Sequence, residues 1–380
     1  MVTSPVDSSS RETVTVVEFR IESGLNCGGH AFATDGHLLG PILQEFKDKR
    51  CDLFNLLHKS FKQSLTQKEL EIPDEQALPF RVTVQGGVGT YEEQEFLMSH
   101  YGVDSVGWGS PFLLVPEAVT IDPDSRNLVA QAGKKDLHLS HISPLGVPFN
   151  SVRNTSEDQN RQDRILRGKP GSPCNKKYLV SNTEFSEKPV CTASRTYQKN
   201  KLEELENNRF EHESQREKAI GRVLEKTCIC NGLTNPALLE KGLPLTLKNS
   251  GVSICPGPNM AYFDRLVSLD AMVQHIYGRL NLLNDEKRPN LFLKELEQYV
   301  SYFRNYFTHS PDQPLEKAVN YLKTFRENLQ VGITYYKELM AQPEASPINR
   351  NTNWLEKLEH YQLLVDKVMS KYLGDTLLTR

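Results

Sequence analysis

Apolar and polar positions change their period several times along this chain, and each change marks an element. Residues 13–23 (TVTVVEFRIES) are β-branched and predict a strand that ends at Gly24. From 38 to 65 the spacing becomes helical. Leu38, Leu39, Ile42, Leu43 and Phe46 form one series, and Cys51, Phe54, Leu57 and Phe61 form the next, which predicts a helix pair. Phe80 to Val84 predicts a second strand, residues 90–102 an acid-started helix closed by Gly102, and Val103 to Val106 a third strand. The order β-α-β-α-β predicts an α/β fold with parallel strands and right-handed crossovers, as an open sheet or a slice of a barrel.

Beyond Val119 the pattern weakens. Residues 136–200 are rich in Ser, Pro, Asn and Lys and read as an irregular, wrapping segment. Residues 200–227 read as one highly charged connector helix with a thin apolar stripe. Between 261 and 372 four stretches with apolar spacings of three and four predict a helical cap or bundle, beginning with residues 264–283. The aromatic runs at 302–307 and 333–339 fall on those stretches, where such spacing marks core. The resulting division is a disordered Ser-rich tail (1–12), a strand-and-helix domain (13–120), an irregular segment with its connector helix (121–260) and a helical domain (261–380).

Composition narrows the partners. The 380 residues carry a net charge of −3, with acids and bases alternating, so no field for nucleic acid is expected. No signal-peptide core or bilayer-length apolar run is evident, which predicts a cytoplasmic protein with no membrane partner. Seven cysteines, an odd number, predict reduced thiols rather than a disulfide framework.

The candidate chemistry sits where the strands end. Gln85-Gly86-Gly87-Val88-Gly89 lies between a strand and a helix, where glycines let backbone approach a phosphate and the helix's first-turn amides point at it. Trp108-Gly109-Ser110 ends the next strand, and its amides could complete the same cradle; tight turns alone are the competing explanation. His30 follows Cys27-Gly28-Gly29 on the loop after the first strand, placed to act as a base or donor near neutral pH, or simply to bond loop backbone. His37 is a second, weaker candidate on that loop. Cys174, Cys191, Cys228 and Cys230, with Cys255 nearby, could converge on zinc or an iron-sulfur cluster. Only Cys228 and Cys230 are close in sequence and the common two-residue spacing is absent, so no metal is assigned and structural thiols are the default.

The segments ESGLNCGGH (22–30), VTVQGGVGTYEEQEFL (82–97) and YGVDSVGWGSPFL (101–113) resemble the last three strand-loop units of the nitronate monooxygenase family, once called 2-nitropropane dioxygenases. KPGSPCNKKYL, KPVCTASRTY and KTCICNGL resemble the extended C-terminal region of one branch of it. The resemblance spans roughly residues 16–260. It implies a partial (β/α) TIM-type barrel with FMN as cofactor and a small-molecule substrate. His30 falls on the family's catalytic base, Gly28 and Gly29 on the flavin lining, and Gln85, Gly86, Gly87, Trp108, Gly109 and Ser110 on the cofactor loops. Cys27, Gly107-Trp108 and Pro111 depart from the family pattern. The implied reaction is removal of the proton alpha to a nitro group, transfer of electrons to FMN and reaction with oxygen. A flavin-dependent enoyl reductase of lipid or polyketide synthesis and a non-catalytic fragment are the alternatives. Three strands cannot close a barrel. The expectation is therefore a truncated flavoprotein that a partner chain or self-association completes.

Overall fold

The computed structural model of the chain describes residues 16–25, 29–30, 34–72, 80–247, 250–284, 287–306, 315–349 and 353–378. Three parallel strands, β1 (Glu18–Glu22), β2 (Arg81–Gln85) and β3 (Ser105–Gly107), form a sheet in the order β1-β2-β3. The register sets Glu22 beside Gln85 and Gln85 beside Gly107, so the following loops leave the sheet at one end. Helices α1 (Leu39–Asp48) and α2 (Arg50–Gln67) connect β1 to β2, and α3 (Tyr91–Tyr101) connects β2 to β3. Thr90 caps α3 by accepting from Glu93 N, and Gly102 ends it in the left-handed region at φ 67°. Strand β1 is shorter than the expected 13–23, and residues 13–15 lie outside the described ones.

Val82, Thr83 and Val84 are all buried, because β2 is covered on both faces as a central parallel strand is. What covers it comes from the far end of the chain. Helices α11 (Leu291–Arg304), α12 (Leu315–Met340) and α13 (Trp354–Leu378) share a single hydrophobic cluster with the sheet. Ile21, Val82, Val84, Phe96 and Leu97 belong to it, with Leu291, Phe292, Leu296, Phe325 and Tyr336. The aromatic runs of the C-terminal region are core: Tyr299, Phe303 and Tyr336 are each at most 1% exposed.

The stretch read as irregular contains regular structure. An antiparallel pair, β4 (Leu137–Ser140) and β5 (Phe149–Val152), is followed by α5 (Ser156–Leu166), whose N-terminus is a capping box of Thr155 and Asp158. These elements were hidden because their side chains are short and polar: Asn150, Ser151 and Ser140 are buried through hydrogen bonds rather than apolarity. A charged connector does follow, but as two helices, α6 (Arg195–Asn207) and α7 (Glu213–Glu225), packed together. Two short helices, α8 (Ile229–Gly232) and α9 (Asn235–Glu240), come next.

Helix α4 (Pro123–Gln131), β5, residues 252–263 and α10 (Leu269–Ile276) gather around a second cluster that includes Leu114, Val129, Val152, Met260 and Met272. The first helix expected in the C-terminal region, over 264–283, is only the eight residues of α10. Among the described residues no helix is long and apolar enough to cross a membrane.

Candidate functional site

The loops after β2 and β3 meet at a cavity of about 120 Å³. Residues 85–88 line one side, 107–111 the other, and Leu25 and Asn259 complete the wall. Gly86 and Gly87 have φ of 104° and 79°, so the chain turns in the left-handed region, where glycine alone is unstrained. A Cβ on Gly87 would stand 2.6 Å from Leu25 Cδ1, which packs the loop after β1 against the turn. The volume equals about four water molecules' share of liquid. That suits a phosphoryl group; a whole flavin needs several-fold more.

The turn is held from beneath by a buried polar network. Arg288 and Glu93 pair at 2.7 Å, with side chains only 7% and 2% exposed. Arg288 Nη2 also donates to Gly87 O (2.6 Å) and Nε to Asn259 Oδ1 (2.7 Å), while Asn259 Nδ2 donates to Val88 O (2.9 Å). Glu93 accepts from Gly89 N (2.9 Å) and from Leu291 N (2.8 Å), the first residue of α11. His275 Nε2 donates to Gly89 O at 3.1 Å, and burial lowers its pKa, which keeps the ring neutral.

This corrects one expectation about the cradle. The amides of Gly89 and Glu93, at the start of α3, are already taken by Glu93 and Thr90. An anion in the cavity would be met by the turn at 86–88 and by 109–110, not by those two amides. Trp108 turns its indole away: Nε1 donates to Gln94 Oε1 (2.8 Å) and the ring meets His275 edge-on. The size of this side chain therefore does not obstruct the backbone beside it. Ser110 Oγ accepts from Gly257 N at 2.9 Å and keeps its own proton to donate. Gln85 Nε2 donates to Glu22 Oε1 across the sheet's end.

His30 does not line that cavity. It forms an isolated bridge with Phe149, lies edge-on to that ring at 5.2 Å, and its Nε2 is 2.7 Å from Ser143 Oγ. Asn150 N donates to Gly29 O (2.7 Å), and a Cβ on Gly29 (φ 83°) would stand 2.5 Å from the Phe149 ring. The hairpin β4–β5 thus clamps the histidine loop. Burial lowers the His30 pKa below its ordinary 6.5, so the imidazole is neutral at pH 7. Gly28 and Cys27 lie outside the described residues.

The start of that loop is anchored by α11. Ser23 Oγ donates to Glu295 Oε1 (2.7 Å), Leu39 N donates to Glu295 Oε2 (2.8 Å), and Gln298 Nε2 donates to Gly24 O (2.8 Å). Complete burial pushes the Glu295 carboxyl up to about 7. Sequence reasoning passed over Glu93, Arg288, Asn259, His275 and Glu295. Three of the five lie on stretches read as amphipathic helix, where a charge registers as solvated face. His37 does no more than close a turn with Thr34.

Among the described residues no three His, Cys, Asp or Glu side chains close around a single metal ion. No protein-family model matches the chain, and no curated protein matches it.

Proposed function

We propose that the chain is an FMN-dependent oxidoreductase of the nitronate monooxygenase type, built on part of a (β/α) barrel. The observation that carries the reading is the meeting of the two glycine loops at one phosphate-sized cavity, at the end of the sheet from which the His30 loop also leaves. The consecutive order β1-β2-β3, all parallel, supports a barrel slice over a sheet whose strand order reverses.

The residues present fit the phosphate end of the cofactor. Gly86 and Gly87 permit close approach of backbone, and the amides of 86–88 and 109–110 with the Ser110 hydroxyl supply donors. The rest of FMN must extend out of the cavity toward the loop after β1, where Gly29 lies. When bound, FMN supplies the two-electron acceptor that oxygen regenerates.

His30 takes the proton alpha to the nitro group. With Nε2–H donating to Ser143 Oγ, Nδ1 is the basic nitrogen. A neutral, half-buried imidazole accepts a proton at pH 7, and this favours abstraction over the proton donation that an enoyl reductase requires. Among the described residues β1 and β3 each pair on one side only. The reading therefore includes a partner chain or a second copy that supplies further strands.

The test is titration of FMN with the purified chain, followed by aerobic turnover of an alkyl nitronate. Saturable quenching of flavin fluorescence with oxygen uptake is the expected result. No flavin binding overturns the proposal for this chain. Flavin binding with turnover of an enoyl thioester and NAD(P)H, but none of nitronate, reassigns it to enoyl reduction.

A further inference from the structure

Three segments distant in sequence bring their cysteines to one place in the fold. Ser172 N donates to Ala193 O (2.9 Å) and Arg195 N to Ser172 O (3.0 Å), which lays the Cys174 segment beside the Cys191 segment as a parallel bridge. Asn231 Nδ2 donates to Asn175 Oδ1 (2.9 Å) and reaches Cys228 Sγ (3.4 Å). Lys176 Nζ donates to Thr234 Oγ1 (3.0 Å), and that hydroxyl donates to Cys230 O (2.8 Å). Cys228 and Cys230, at the start of α8, are thus fastened to the other flank of Cys174.

The thiols are near enough to act on one another. Cys191 interacts electrostatically with Cys174, Cys228 and Cys230, and Cys174 with both members of the Cys228-Ile-Cys230 pair. Three of the sulfurs also accept backbone amides: Cys191 from Ala193, Cys228 from Asn231 and Cys230 from Tyr178. A neutral thiol packed as a small hydrophobe has no need of such donors. Amides aimed at sulfur favour the thiolate, which is the form that binds metal. Without a cation, burial holds these thiols neutral and pushes Cys191 up to about 12; four gathered thiolates need a multiply charged partner.

The kind of partner follows from the spacing. A zinc ion draws four sulfurs to about 2.3 Å from one point. The four cysteines are coupled, but no three of them close around a single ion. That wider arrangement suits a polynuclear centre, which takes one thiolate at each of four corners. We propose that Cys174, Cys191, Cys228 and Cys230 ligate an iron-sulfur cluster that fastens the long irregular stretch after α5 to α8.

Iron and acid-labile sulfide, measured on the full chain purified without oxygen or reconstituted with ferrous iron and sulfide, test it. About four of each per chain is expected for a cubane. Neither assay reads flavin, so failure here and failure of the FMN reading are distinguishable. Cys174→Ser or Cys230→Ser lowers the iron content at least twofold, whereas Cys51→Ser, at an exposed thiol, leaves it unchanged. If the first two variants do not fold, native thiol titration of the wild type decides. The four cysteines are masked in the iron-loaded protein and react once iron is removed. One zinc per chain without iron, or no metal after reconstitution, overturns the proposal.

Discussion

Arg288 donates to the carbonyl of Gly87 at 2.6 Å, joining residues 201 positions apart. Its guanidinium stands 2.7 Å from where a Cβ on Gly89 would be, and it pairs with Glu93 of α3. The glycine turn is therefore fixed by the segment leading into α11. Its geometry depends on the helical region being docked.

Removing one partner of this pair leaves the other charge buried, which costs about 3–5 kcal/mol. Arg288→Leu is expected to lose stability on that scale in urea denaturation and to weaken FMN binding. Arg20→Leu, which breaks the exposed pair with Glu18, leaves both close to wild type.

Two glycines with positive φ separate strain from packing. At Gly102 (φ 67°) an added Cβ meets nothing within 4 Å, so Gly102→Ala costs about 1 kcal/mol for the left-handed backbone alone. At Gly87 (φ 79°) the same methyl also strikes Leu25, and the cost rises to roughly 2–4 kcal/mol. Thermal denaturation ranks the two. Flavin titration loses affinity only in Gly87→Ala.

Deletion of the His30 imidazole is expected to lower nitronate kcat by about 100- to 10,000-fold in His30→Gln, with flavin binding retained. Burial lowers this pKa, and the base acts when neutral. The wild-type rate should therefore rise with pH, with a midpoint below 6.5, and be level by neutrality. A pH-rate profile with its midpoint above 6.5 contradicts this.

Glu295 should govern stability on the alkaline side. Its pKa moves from 4.5 when unfolded to about 7 when folded, so the folded state binds the proton more tightly. Stability from this site is full below about 4.5 and is lost as pH rises through 7, on the order of 3 kcal/mol in all. Measured by urea denaturation from pH 4 to 8.5, the gap between wild type and Glu295→Gln should move in favour of the variant as pH rises.

Much of the sheet and its glycine turns was legible in the sequence. The β-branched run before Ser23, the Gly-Gly after Val84 and the capped helix from Thr90 to Gly102 each carry a local signal, because backbone conformation there is set by neighbouring residues. The hairpin β4–β5 gave none. Its buried Ser140, Asn150 and Ser151 are satisfied by one another and by backbone, and burial of that kind leaves no apolar period to read.

The sequence by itself determined where the chain turns and which positions are candidates: Gly86, Gly87, Gly109 and Ser110 at strand ends, His30 after the first strand, and four cysteines on weakly periodic stretches. Only the tertiary structure decided what stands next to them. Arg288 beneath the glycine turn, Ser143 against His30 and Asn231 between Cys228 and Asn175 are each contributed by a segment dozens to hundreds of residues away. Local sequence encodes dihedral preference and periodicity. Partners across the fold are chosen by the packing of the whole core.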